Sequence, residues 1–230
     1  RNPAAARRRP RSRDGVAVTA AARRLGLAWQ AQSLLLAYPD DELAGRLGLL
    51  RQVADAAGPR VGGPLLRFLG YATSTALPEL AAEYVATFDH RKRCCLFLTY
   101  YAHGDTRKRG MALLRLKQGY AAAGLRLAGD ELPDHLAVML EFAAIAGPDA
   151  GRALLLEHRA GLELLRLALH DIASPWAGVL DSVSATLPAL RGGEREAVAR
   201  LAAQGPPEEQ VGLAPFGPPE YMPQPQGGAR

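Results

Sequence analysis

Wherever this chain is hydrophobic, its apolar residues recur with a helical period. Leu80, Tyr84, Val85 and Phe88 fall at i, i+4, i+5 and i+8, which is one face of a helix. Leu136, Met139, Leu140 and Ala143 draw a second stripe, with Leu132 just upstream. A third segment sets Met111, Leu113, Leu114 and Leu116 against Arg107, Lys108, Arg109, Arg115 and Lys117. The Val/Ile-rich alternation that strands need is almost missing. Its nearest approaches, "DGVAVTA" and "SVSATL", both sit beside helical periodicity. With 48% apolar residues in 230, there is enough side-chain volume for one sizeable core. The expected fold class is all-α.

Turn and cap signals divide the pattern. Residues 1–15, "RNPAAARRRPRSRDG", read as a disordered basic tail. A first helix from about Val16 to Ala37 stops before Pro39, with Leu25, Leu27, Trp29, Leu34, Leu35, Leu36 and Tyr38 on its apolar face. Asp40 is placed to cap a second helix, whose first turn carries Asp41 and Glu42 near the positive end of the dipole. Gly58-Pro59 ends it, and a short third helix covers about Pro64 to Tyr71. The run 94–101, "CCLFLTYY", is apolar all round and predicts a buried helix. Gly104-Asp105 breaks it before the basic helix that Gly124 ends. A helix from Pro133 follows, then helices over about 149–170, 175–190 and 194–203, separated by Gly147-Pro148, Ser174-Pro175 and Gly192-Gly193. The Pro/Gly-rich residues 205–230 predict an extended tail. The expectation is one bundle-like domain of about nine or ten helices over 16–204, flanked by the two tails.

Charge is unevenly spread. Residues 1–24 carry +7 and residues 89–117 carry +6, which leaves the rest at −8 within an overall +5. A mildly acidic body with a basic tail and one basic stripe weakens a nucleic-acid reading, which wants cations interleaved with aromatics along a docking face. That reading is kept as the alternative function, resting on the tail and the stripe. "RKR" at 91–93 and again at 107–109 reads as solvated helix termini, or as an anion- or peptide-binding rim. The two cysteines, Cys94 and Cys95, are adjacent and lie in an apolar setting. As neighbours on a helix they make a poor disulfide, and two thiols do not fill a zinc site, so buried reduced thiols are expected. No apolar run reaches the ~18 residues of a membrane span. The paired arginines before "LGLAWQAQSLLLAYP" are not followed by a small-residue cleavage site, so a cytoplasmic location is expected.

The most polar constellation is "ELPDHLAVMLEFAA", 131–144. Pro133 suits a first helical position and Asp134 a first turn. His135 has Val138 and Met139 at i+3 and i+4, so the helix offers no second ligand for a metal. Glu131 can approach His135 across the turn, while Glu141 points elsewhere. The stretch reads as a capped helix entry, with recognition as its functional alternative. His90, His103, His158 and His170 form no H-x-x-x-H or H-x-x-E pair, and no nucleophile elbow, Walker loop or dinucleotide fingerprint occurs. No catalytic residue, metal site or cofactor is expected.

"YVATFDHRKRCCLFLTYYAHGDTRKRGMALLRLKQGYAAAGL" followed by "DELPDHLAVMLEFAA" resembles the delta-subunit chaperones of respiratory nitrate reductase, within the wider all-helical group of molybdoenzyme assembly chaperones. The likeness extends over at least residues 25–203, and "PPEEQVGLAPFGPPEY" is similar to the tail of longer members. The resemblance implies a cytoplasmic, non-catalytic protein without stable membrane insertion. Such a protein holds the immature catalytic subunit of nitrate reductase, through that subunit's N-terminal segment, and permits molybdenum cofactor insertion before membrane docking. It also implies a peptide site. An acidic-Pro-Asp-His turn maps to Glu131, Pro133, Asp134 and His135, although Leu132 stands inside the turn where relatives often differ. An aromatic helix motif maps to Tyr84 and Phe88, and Arg107 or Arg109 is expected to meet acidic groups at the rim.

Overall fold

The computed structural model describes residues 13–127 and 131–204. These form eleven α-helices: α1 Arg13–Leu35, α2 Asp41–Ala56, α3 Pro59–Ser74, α4 Leu77–Phe88, α5 Leu98–His103, α6 Arg107–Ala122, α7 Leu136–Ala146, α8 Pro148–Glu157, α9 Arg159–Asp171, α10 Ala177–Ala185 and α11 Gly192–Gln204. A single 3-10 turn, Lys92–Cys94, lies between α4 and α5. The all-α expectation holds, with one or two more helices than the sequence predicts. Residues 1–12 and 205–230, where most of the two predicted tails fall, lie outside the described residues, while Arg13–Gly15 belong to α1.

The bundle is organised around α1, which packs along α7 and against α2 and α10. Two tryptophans fix this arrangement. Trp176 is fully buried and donates from Nε1 to the Leu35 carbonyl at 3.2 Å. Trp29, also fully buried, donates to Thr186 Oγ1 at 3.0 Å. Each indole thus buries its area and still satisfies its N–H. Gln32 Nε2 donates to Ser182 Oγ at 2.8 Å, and Ser33 Oγ donates to the Ala137 carbonyl at 2.7 Å, so the polar positions of α1 become ties to α10 and α7. The apolar face predicted for α1 is correct at Trp29, Leu35 and Leu36, but Leu27 and Tyr38 are exposed.

Close helix approaches rest on glycine. A Cβ at Gly62 of α3 would stand 1.8 Å from the Ala54 carbonyl oxygen of α2, and one at Gly151 of α8 would stand 2.7 Å from Ala143 of α7. Asp40 caps α2 as the sequence predicts, accepting from the Leu43 N–H at 2.8 Å.

Four predicted boundaries are corrected. The third helix begins at Pro59, five residues before Pro64, which α3 absorbs in its interior. The helix predicted over 149–170 is two helices broken at His158, whose φ of −102° and ψ of 17° leave the helical region. Gly192-Gly193 opens α11 and does not precede it. Most consequential for the site, "CCLFLTYY" is not one helix. After the 3-10 turn the backbone is extended, and Phe97 forms an isolated antiparallel bridge with His135. Leu98 N–H donates to the Asp134 carbonyl at 3.0 Å and Leu136 N–H to the Leu96 carbonyl at 2.9 Å. Cys94, Leu96 and Leu98 are buried while Cys95 and Phe97 are half-buried, a period of two. An all-apolar run conceals that period from sequence reading.

Candidate functional site

The bridge sets where the polar turn stands. Because 134–136 pairs with 96–98, the turn after Glu131 cannot continue as helix, and α7 starts at Leu136 with His135 as its N-cap. Pro133 and Asp134 therefore precede the helix and do not form its first turn. Asp134 is fully buried. One carboxylate oxygen accepts from Thr99 Oγ1 and lies 3.5 Å from Arg109 Nη2. Arg109 also meets Asp105 at 3.0 Å. The dipole role expected for Asp134 gives way to that of a buried anchor between the turn, α5 and α6. The Pro133 carbonyl accepts from the Tyr120 hydroxyl at 2.7 Å, which ties the same turn to α6 a second time.

On the other side of this turn lies a groove of about 460 Å³, lined by side chains that include Tyr38, Tyr84, Phe88, Phe97, Glu131 and His135. Tyr84 and Phe88 come from one face of α4, with ring centroids 4.8 Å apart, and Trp176 stands 5.5 Å behind Phe88. Tyr84 donates to the Leu36 carbonyl at 2.9 Å, so its ring is fixed as a wall. Tyr38 meets Tyr84 edge to face at 5.7 Å and remains exposed. Opposite, Phe97 and His135 meet edge to face at 5.2 Å, and the Arg109 guanidinium lies 5.6 Å from the Phe97 centroid.

The groove is acidic. Asp89, Glu131 and Glu141 line it, and among the described residues His135 is its only basic-type side chain. Burial pushes the Tyr84 hydroxyl up, and the charges of Asp89 and Glu131 push it further. Burial also holds His135 below the usual histidine range, against the opposing pull of Glu131, Asp134 and Asp89. His135 Nδ1 is buried and has no hydrogen-bond partner among the described residues. An aromatic wall, a neutral imidazole with an unmet nitrogen and three carboxylates can take an apolar segment that carries basic or hydrogen-bonding groups.

The structure thus brings four of the eight predicted site residues to one groove: Tyr84, Phe88, Glu131 and His135. Pro133 and Asp134 are buried behind it. Arg109 is engaged by two carboxylates, and Arg107 is an exposed residue of α6 outside the groove lining. Sequence reasoning missed Tyr38, Phe97, Asp89 and Glu141. Tyr38 reads as part of a buried face and Phe97 as part of a buried helix; the bridge brings Phe97 to the groove, and packing of the segment after α1 against α4 brings Tyr38 onto Tyr84. Asp89 follows directly on the Phe88 stripe and could have been found as its polar end.

Cys94 and Cys95 are free thiols whose pKa values burial raises. Among the described residues no cluster of three His, Cys, Asp or Glu could hold a metal ion, and no helix is long and apolar enough to cross a membrane.

Comparison with known proteins agrees with the sequence resemblance. A family model described as nitrate reductase delta subunit matches residues 46–181, which include α4, the bridge and α7. The nitrate reductase-like protein NarX of Mycobacterium tuberculosis is 39% identical over 162 residues, 69% of this chain but 24% of NarX, so this chain spans about a quarter of that relative. The probable nitrate reductase molybdenum cofactor assembly chaperone NarJ of Bacillus subtilis is 34% identical over 173 residues, covering 75% of this chain and 93% of the relative. The chaperone NarJ of Escherichia coli K12 is 32% identical over 123 residues, 49% of each chain. With a match across most of its helical body and across nearly all of a curated relative, the chain belongs to the nitrate reductase delta subunit family.

Proposed function

We propose that this protein is an assembly chaperone, not an enzyme. In this reading it binds the immature catalytic subunit of respiratory nitrate reductase by that subunit's N-terminal segment. It thereby permits molybdenum cofactor insertion before the enzyme docks at the membrane, and acts in the cytoplasm. Two relatives named as nitrate reductase molybdenum cofactor assembly chaperones support the role. The observation that carries the binding mode is the aromatic, acidic groove between α4 and the bridged turn, open to an extended or helical segment with apolar anchors. Its three carboxylates favour a segment with basic groups and oppose a phosphate backbone, which counts against the nucleic-acid alternative.

The test is calorimetric titration of the full chain with a synthetic peptide of the catalytic subunit's N-terminal segment. Apolar anchors with a few charge-assisted bonds predict roughly micromolar affinity, about 8 kcal/mol. A scrambled peptide that binds equally well would refute the groove as a specific site. A deletion strain whose nitrate reductase carries normal molybdenum and activity would refute the chaperone role.

A further inference from the structure

A second site stands on the α9–α10–α11 side of the bundle. A pocket of about 380 Å³ is lined by Arg60, Arg159, Arg166 and Arg195, against the two carboxylates Glu163 and Asp181. Arg159 is 5% exposed, an unusual place for a guanidinium. Its Nη2 meets Glu163 Oε1 at 2.9 Å and Ser184 Oγ at 3.1 Å. Its Nε and Nη1 are buried without any hydrogen-bond partner among the described residues.

Glu163 does not neutralise Arg159 alone. Its second oxygen accepts from Arg166 Nε at 2.7 Å, and Ser184 Oγ donates to the first at 2.7 Å. Asp181 is likewise shared, between Arg166 at 3.1 Å and His170 at 2.9 Å. Arg60 and Arg195 are exposed and form no ion pair among the described residues. The nearby Glu194 accepts from the Arg191 backbone N–H at 2.7 Å. Four guanidinium groups thus stand against three carboxylates, Glu163 and Asp181 in the lining and Glu194 beside Arg159. Arg60 also lies in the first turn of α3, whose N-cap Gly58 offers no side-chain acceptor, so the helix end adds positive potential.

A buried guanidinium with unmet donors calls for an acceptor-only partner, because leaving such groups unpaired is costly. The remaining excess of positive charge favours an anion with several acceptor oxygens. We propose that this pocket is an oxyanion site that takes a phosphate group, anchored on Arg159 and closed by Arg60 and Arg195. The group can arrive as free phosphate or as the end of a phosphate monoester. The site is separate from the acidic groove and does not depend on the peptide reading.

The experiment titrates the full chain at low ionic strength with inorganic phosphate, and in a second arm with glycerol 3-phosphate, by calorimetry and phosphorus NMR line broadening. The expected result is saturable 1:1 binding of inorganic phosphate. Loss of two charge-assisted contacts in the Arg60→Ala/Arg195→Ala double variant should weaken it at least about tenfold. Both residues are exposed, so circular dichroism should be unchanged. An Arg107→Ala/Lys108→Ala variant on α6 should bind as the parent does. Equal binding of the monoester assigns the pocket to a phosphate end group, and binding of inorganic phosphate alone assigns it to the free ion. No saturable binding, indifference to the double variant, or an equal loss in the α6 variant overturns the proposal.

Discussion

Phe97 and His135 are partners twice over, through an antiparallel backbone bridge and through rings that meet edge to face at 5.2 Å. The bridge turns the imidazole into the groove while Asp134, one residue earlier, is fully buried on the opposite side. Neighbouring residues of an extended segment face opposite ways, so one short pairing sends His135 to the groove and Asp134 to the core.

His135→Ala should weaken binding of the catalytic subunit's N-terminal peptide by about 1–2 kcal/mol, the worth of one hydrogen bond together with its desolvated partner. The backbone bridge survives the change, and Leu136 and Leu140 still hold α7, so helix content should remain as in the parent. Titration calorimetry beside circular dichroism reads both. Unfolding of the variant would mean that the imidazole is a fold element and not a recognition group.

Asp134→Ala should do the reverse. It removes the acceptor of Thr99 and takes from Arg109, 18% exposed, its buried carboxylate partner, leaving Asp105 on the solvent side as its ion pair. Breaking a buried pair in this way costs about 3 kcal/mol. Urea unfolding should show a lower midpoint with an unchanged slope. A variant as stable as the parent would refute the anchoring role.

Stability should fall in mild acid. Burial lowers the pKa values of both His135 and His158 from the usual 6.5. A histidine depressed in the folded state stays neutral while the unfolded chain takes up a proton. Its full contribution is present above pH 6.5 and declines as pH falls from 6.5 through the folded value. Each group contributes a slope of at most about 1.4 kcal/mol per pH unit in that window. His158→Gln should flatten the fall of Tm below pH 6.5. An equally steep fall in that variant would remove His158 from the account.

Gly62 and Gly63 are adjacent and should respond very differently to alanine. At Gly62 the new methyl collides with the Ala54 carbonyl, backbone that cannot move aside cheaply, whereas at Gly63 no atom of another helix lies within 4 Å. Gly62→Ala should lower stability by at least about 2 kcal/mol. Gly63→Ala should cost much less, because the gain in helix propensity is offset by the crowding of a new Cβ against the following Pro64. Thermal denaturation of the two variants checks the difference.

The sequence alone determined the all-α class, the capped start of α2 and the stripe on α4, and the family resemblance pointed to Tyr84, Phe88, Glu131 and His135, which the fold places along one groove. Each of these rests on residues at most a few turns apart, or on the family resemblance. Only tertiary structure decided the rest. The run from Cys94 to Leu98 is apolar at every position, so nothing in it distinguishes period two from period 3.6, and the extended form appears only when 96–98 finds 134–136. Asp134 reads locally as a helix-dipole residue, but Thr99 and Arg109, 35 and 25 residues away, bury it. Arg109 reads as a free rim cation for the same reason. Charge pairing and strand pairing between distant segments leave no mark in local periodicity, because their partners are chosen by the packed shape of the bundle.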